Sequence, residues 1–531
     1  MNSPTLIFFN GRIHTMDRQR PRATALALTG ERIVAVGDES LRTLAGAQTR
    51  LVDLGGRTVI PGLIDAHLHF LAYGLSLREI DLMNVPTPEA ALAHIAARAA
   101  ATPAGQWLTG RGWDQVLWPE PLFPTAAQLD AVTPHHPAFL RRKCGHAGWA
   151  NSLALKLAGI TRDTPDPAGG AIERDPATGA PTGILLERAM ELIFQLQATP
   201  TDAEAVDAVQ VAQRRAHSLG ITGIHNMEGA PALRAFQELR RRGAWKLRVL
   251  QQIPETELDA AIALGVQSGY GDEWIRFGAV KIFADGSLGA RSALMIEPYE
   301  GEPHNRGIAV STAAHLQQQV MKAAQVGLAV HIHAIGDQAN RNVLDAIEAT
   351  RRAGVGLHLR HRIEHAQVLA PADLPRFAAL GVIPSMQPIH CTQDIVLADR
   401  HWGARRRLAY AWSSLLSAGA VLAFGSDAPV ETPDVLQGIY AAVTRRRADG
   451  YPGVEGWVPE ECVSVAEAVH AYTLGAAYAG GEEALKGSLT PGKLADLTVL
   501  DRDIFTLPAE ELLATRIAAT VVGGEMVYEG A

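Results

Sequence analysis

Gly62-Leu63-Ile64-Asp65-Ala66-His67-Leu68-His69 closes an apolar run that begins at Val59, and it ends on two histidines two residues apart. Side chains at i and i+2 of a strand share a face, so His67 and His69 can reach one point at the strand's end. Neutral imidazoles suit zinc, iron and similar cations. Working outward, seven more short apolar runs follow: Ile221 to Asn226, Leu247 to Ile253, Phe277 to Phe283, Leu328 to Ala334, Arg360 to Ala366, Val382 to Gln387 and Val421 to Ser426. From the second onward they alternate with Ala-rich amphipathic stretches at the spacing of one strand plus one helix. Eight such units predict an α/β chain with a (β/α)₈ TIM-type barrel. No G-x-G-x-x-G follows any strand, which argues against an open doubly wound sheet.

The other strand ends carry chemistry too. They read His331-Ile332-His333 on strand five, His361-Arg362-Ile363-Glu364-His365 on strand six, Ser426-Asp427-Ala428-Pro429 on strand eight, and Lys281 to Gly286 on strand four. Barrels do their chemistry at the C-terminal ends of their strands, where these residues converge. Within the doublets, His333 and His365 lie nearer the strand ends. His331 is in phase with His333 one layer deeper, and His361 is in phase with His365.

Both ends of the chain look different from the middle. The first 58 residues read as short strands separated by Gly11, Gly30, Gly37 and Gly55-Gly56, and residues 482–531 read similarly around Gly523-Gly524. Residues 1–58 and 482–531 are therefore expected to form one small β-sandwich domain. Residues 59–481 would be the barrel, with 70–220 an insertion over the active-site face. That insertion carries Trp107, Trp113, Trp118 and Trp149. Trp113, Trp149 and His146 could line a pocket, or the tryptophans could pack the insertion's own core. Arg291 could meet a substrate carboxylate or pair with Asp285, and His225 and Asn226 close strand two at the same rim.

Composition sets the outer limits. The chain has 531 residues, 47% hydrophobic and 20% charged, enough for a large core. A net charge of −8 gives no footprint for nucleic acid or an anionic membrane. Cys144, Cys391 and Cys462 lie far apart, without the spacing of a cysteine zinc cluster or a disulfide framework. The start has no basic segment or cleavage site, and no run reaches the ~18 apolar residues of a membrane span. A cytoplasmic enzyme acting on a small molecule is the expectation, with a homodimer as a candidate assembly.

The longer motifs resemble the amidohydrolase superfamily, and within it the branch of the N-substituted formamide deformylases. The matching stretches include Asn10-Gly11-Arg12-Ile13, Pro61 to His69, Arg111-Gly112-Trp113-Asp114, Gly145 to Ser152 and Lys281 to Gly289. They continue through His333 to Asp337, Glu364 to Gln367, Ser426 to Pro429 and Leu489 to Leu497. The resemblance implies one or two divalent metals per chain, zinc first. His67, His69 and Asp427 would hold the more buried one, and His333 and His365 the more exposed one. Lys281 would bridge them as a carbamate formed with carbon dioxide, unless its ammonium pairs with Asp285 or Glu364. The implied reaction is hydrolysis of a linear amide, an N-formyl or N-acyl amine. Asp427 would carry the proton from metal-activated water to the leaving nitrogen. A cyclic amide hydrolase or a deaminase could use the same site. A regulatory protein on an inherited barrel should have lost metal ligands, and this chain keeps all six.

Overall fold

The computed structural model describes residues 3–83, 85–143, 147–167, 170–196 and 200–530. Eight parallel strands stand side by side in chain order: β1 (Leu63–Leu68), β2 (Ile221–Asn226), β3 (Arg248–Pro254), β4 (Ile275–Phe283), β5 (Ala329–Ala334), β6 (Arg362–His365), β7 (Ile383–Met386) and β8 (Ala423–Phe424). Residues of β1, β2, β6 and β7 are all buried, as parallel strands covered on both faces require. Each of β2 to β8 is followed by a helix: α2 (Ala230–Arg241), α3 (Leu258–Ala263), α4 (Ala313–Gln325), α5 (Asp337–Arg352), α6 (Leu374–Leu380), α7 (Pro388–Trp402) and α8 (Val435–Thr444), while α1 (Asp202–Ser218) leads into β2. The helices cover the sheet with one apolar face; α5, for example, buries Val343, Leu344 and Ile347.

The last strand is only two residues long, so little ladder joins it to the first. Two backbone bonds beyond the ladder bring the ends together, Asp427 N–H to His67 O at 2.7 Å and His69 N–H to Ala428 O at 2.8 Å. The barrel therefore closes at the residues expected to carry the chemistry.

The first apolar run is not one strand. It breaks at Gly62, where a Cβ would stand 2.2 Å from Thr222 Oγ1. Thr58–Pro61 turns away to pair with Leu497–Leu500 and with Arg12–His14, and only Leu63–Leu68 enters the barrel. Thr58–Pro61 is the fourth strand of a six-stranded sheet drawn from both chain ends, and a four-stranded sheet of residues 6–53 accompanies it. Phe8, Leu26, Ile33, Val59, Leu497 and Val521 share one core.

Residues Gly74–Ala208 form a separate compact unit around a mixed six-stranded sheet. Trp113 and Trp149 are fully buried in it, with ring centroids 6.2 Å apart. Their indole N–H groups donate to Leu140 O at 2.7 Å and Thr125 O at 2.8 Å. Of the two roles open to these tryptophans, they fill the structural one, packing the insertion's own core. His146 lies outside the described residues.

Candidate metal centre

Register decides which side chains enter the barrel. Lys281 pairs with His331 and Phe283 with His333; His331 then pairs with Arg362 and His333 with Glu364. Partners in a parallel ladder share a face. The inward rows are therefore Lys281, His331 and Arg362, with Phe283, His333 and Glu364 nearer the mouth. The expected inward phase of His361 and His365 is corrected here, because Arg362 and Glu364 occupy it. His361 lies between strands, where its Nδ1 accepts Val330 N–H at 3.2 Å. His365 reaches the centre because the chain leaves the strand in the left-handed region, with φ 75° at His365 and 43° at Ala366. Asp427 does the same, at φ 60°. Such backbone costs about 1–3 kcal/mol per residue and persists where surrounding bonds fix it. Here the Ala366 N–H bond to Ala334 O and the Asp427 N–H bond to His67 O hold it.

His67 donates through Nδ1 to Glu364 Oε2 at 2.6 Å, which leaves Nε2 facing Asp427 Oδ1 at 3.5 Å. His69 Nε2 stands 3.4 Å from that same oxygen. His365 donates through Nδ1 to Gln387 Oε1 at 2.8 Å, so its Nε2 is left over as well. His333 is turned the other way, its Nε2 on Gly286 O at 3.0 Å, and its free nitrogen is Nδ1. The rings of His67 and His333 lie 4.8 and 4.6 Å from that of His365. His67, His365 and Asp427 each offer a buried donor atom, all within 4.8 Å of one another. That trio takes one residue from the set implied for the exposed metal and two from the set implied for the buried one.

Lys281 is buried, its Nζ 4.4 Å from the Phe283 ring centre and without a hydrogen-bond partner among the described residues. Burial pushes its amine down to about 8. Neither acid considered as its partner takes it. Asp285 accepts N–H bonds from Leu294, Ile335 and Gly336 at 2.8 to 3.0 Å. Glu364 is held by Arg362 Nε at 2.8 Å and by His67. Burial opposes ionisation of Glu364, yet Arg362 and His67 keep its carboxyl well below the usual range. Arg291 is half-exposed and pairs with Glu302, not with Asp285.

Beneath the ligands, the fully buried Arg362 also donates to Ala66 O at 2.6 Å, Ser385 Oγ at 2.7 Å and His225 Nδ1 at 2.8 Å. His225 is thus engaged below the rim, and Asn226 bonds Phe70 N and Gln251. His331 lies in the same layer, 3.7 Å from Glu364 Oε1. The sequence reading missed the Arg362–Glu364 pair as a support, although its i, i+2 spacing is the same signal that marked His67 and His69. It also missed His390 on α7, whose Nε2 lies 3.6 Å from Asp427 Oδ2.

The donor set fits a divalent cation. Imidazole nitrogens face a carboxylate oxygen at distances longer than ordinary hydrogen bonds, and the nitrogens pointing away are already fixed by Glu364, Gln387 and Gly286. His67 lies between the Glu364 and Asp427 carboxylates, which raise its pKa despite burial. A cation among these donors would take the place of that proton.

Known proteins are similar to this chain along nearly its whole length. Protein LONG AFTER FAR-RED 3 of Arabidopsis thaliana is 35% identical, covering 98% of this chain and 91% of its own. An N-substituted formamide deformylase of Arthrobacter pascens is 30% identical over 99% and 98% of the two chains. A solved structure described as an uncharacterized metal-dependent hydrolase from Pyrococcus furiosus superposes with a TM-score of 0.78 at 31% identity, covering 94% of this chain and all of that one. The profile of the amidohydrolase family matches residues 50–528, and with the strand-end histidines, Lys281 and Asp427 gathered at one barrel mouth, the chain belongs to that family.

Proposed function

We propose that this hydrolase cleaves a linear amide, an N-formyl or N-acyl amine, at a divalent-metal centre with zinc as its metal. The observation that carries the reading is the buried His67, His365 and Asp427 group together with a buried Lys281 amine that has no hydrogen-bond partner among the described residues. His69 and His333 complete the ligand set. The bond class rests on the similarity to a formamide deformylase over nearly the full length of both chains. A metal held there supplies Lewis acidity toward the substrate carbonyl and the attacking water.

The chain's own groups do the rest. Asp427 accepts a proton from the attacking water and returns it to the amide nitrogen, so that the carbon–nitrogen bond breaks to release a neutral amine and a carboxylic acid. Glu364 and Arg362 fix the His67 ring with its Nε2 toward Asp427, where it would be free to hold a cation. Lys281 would join the ligands as a carbamate: the neutral Nζ adds to carbon dioxide, a nitrogen–carbon bond forms as one C=O π bond opens to place its electron pair on oxygen, and the nitrogen's proton passes to solvent.

The test is a screen of N-substituted formamides, N-acyl amino acids and cyclic ureides, with metal analysis of the same sample. One to two divalent ions per chain are expected, with release of formate or another carboxylate and loss of turnover on chelation. Release of ammonia instead would assign a deaminase. A metal-free preparation with full activity would sink the metal-centred reading altogether.

A further inference from the structure

The two oxygens of Asp427 have different neighbours. Oδ1 faces His67 Nε2 and His69 Nε2 at 3.5 and 3.4 Å. Oδ2 faces His390 Nε2 at 3.6 Å. His390 is in the first turn of α7, directly after β7. Gln387, at the entry to the same helix, holds His365. One end of one helix therefore touches two members of the centre. The His390 Nε2 atom is shielded from solvent and has no hydrogen-bond partner among the described residues. A buried polar atom left unpaired is costly, and a shift of well under 1 Å toward Oδ2 would satisfy it.

We infer that His390 is a positioning residue for Asp427. Its Nε2–H donates to Oδ2, which turns Oδ1 and its lone pairs toward the histidine nitrogens where the metal is held. The free rotation of a carboxylate about its Cβ–Cγ bond would otherwise spread both oxygens over several orientations. His390 acts on the ion only through Asp427, and the inference rests on the metal-centre reading above.

The test is a zinc titration of metal-free protein against a chromophoric chelator, which needs no substrate. His390→Ala is expected to weaken zinc binding roughly 10- to 100-fold, the range for partners that orient a metal ligand. His390→Gln, which keeps an N–H at comparable reach, should recover most of it. In an Asp427→Asn background, His390→Ala should change affinity by less than about two-fold, since its partner oxygen is gone. With a panel substrate, His390→Ala should lower kcat while leaving KM nearly unchanged. Should His390→Ala fail to fold, His390→Phe, which fills the space but has no N–H, carries the same comparison: it must lose zinc affinity in the parent and change it by less than about two-fold with Asp427→Asn present. Wild-type affinity in His390→Ala, or an equal loss with Asp427→Asn present, would overturn the inference and leave the metal centre standing. A wild-type chain that takes up no zinc would overturn both.

Discussion

Asp427 is asked to hold a cation and to carry a proton, and its surroundings serve the first role strongly. Burial favours its neutral form, but the facing histidines keep its carboxyl well below the ordinary range. Replacement by Asn preserves shape and an oxygen donor while removing the proton carrier. Turnover of Asp427→Asn is expected to fall by roughly 10² or more, with part of the metal retained. Near wild-type turnover in that variant would place the proton elsewhere. Lys281 poses the opposite problem, a buried nitrogen with no hydrogen-bond partner among the described residues. As a carbamate it would gain an anionic group facing the ligands, so Lys281→Ala should lose metal and activity together, and millimolar acetate should restore part of both. An unmodified ammonium in a metal-loaded, active enzyme, seen by intact mass, would remove Lys281 from the ligand set and leave the histidines and Asp427.

At the scale of elements, the centre depends on how β8 meets β1. Gly425 sits in the seam, where a Cβ would lie 2.5 Å from His67 N and 2.8 Å from Asp65 Oδ1. Gly425→Ala should therefore pry the seam open, costing about 1–3 kcal/mol by overpacking and lowering zinc content as His67 and Asp427 part. Thermal unfolding with metal analysis reads both, and a variant with unchanged stability and zinc would show that the seam can relax freely. The same seam shows what the sequence could reveal. The positions of His67, Lys281 and His333 follow from alternation, because each sits on a strand long enough to keep its phase, and His69 follows one residue past the first of these strands. His365 is the last residue of a short strand and Asp427 lies past another, both in left-handed backbone where alternation no longer applies, so phase misassigned strand six and hid Arg362 and Glu364. The break at Gly62 was hidden for a different reason: Val59 to Ile64 is continuously apolar, and only the close approach of Thr222 shows where one sheet ends and the next begins. His390 could not be found by strand logic at all, since a helix supplies it.

On the scale of the molecule, barrel and terminal sheets are joined by buried polar groups. Arg248 on β3 reaches Asp496 with two contacts at 3.1 Å, and its guanidinium lies 3.8 Å from the Trp274 ring centre. At the end of α1, His217 donates through Nε2 to Lys246 O at 2.8 Å, while its own carbonyl accepts Thr520 Oγ1 from the terminal sheet at 2.6 Å. Burial pushes the His217 imidazole down to about 4. In the unfolded chain a histidine titrates near 6.5. Above that pH both states are neutral at this position and it contributes no pH dependence. Below it the unfolded chain takes a proton that the folded chain refuses, so stability falls as pH drops from about 6.5 toward 4. The linkage gives a loss of about 2 kcal/mol between pH 7 and pH 5 from this one group. His217→Gln keeps an N–H for Lys246 O and cannot titrate. Urea unfolding of the two proteins at both pH values isolates the effect, because every other buried histidine is common to them. The variant is expected to lose about 2 kcal/mol less than the parent on acidification. Equal losses in both would mean that His217 is protonated in the folded chain and that its junction tolerates the charge.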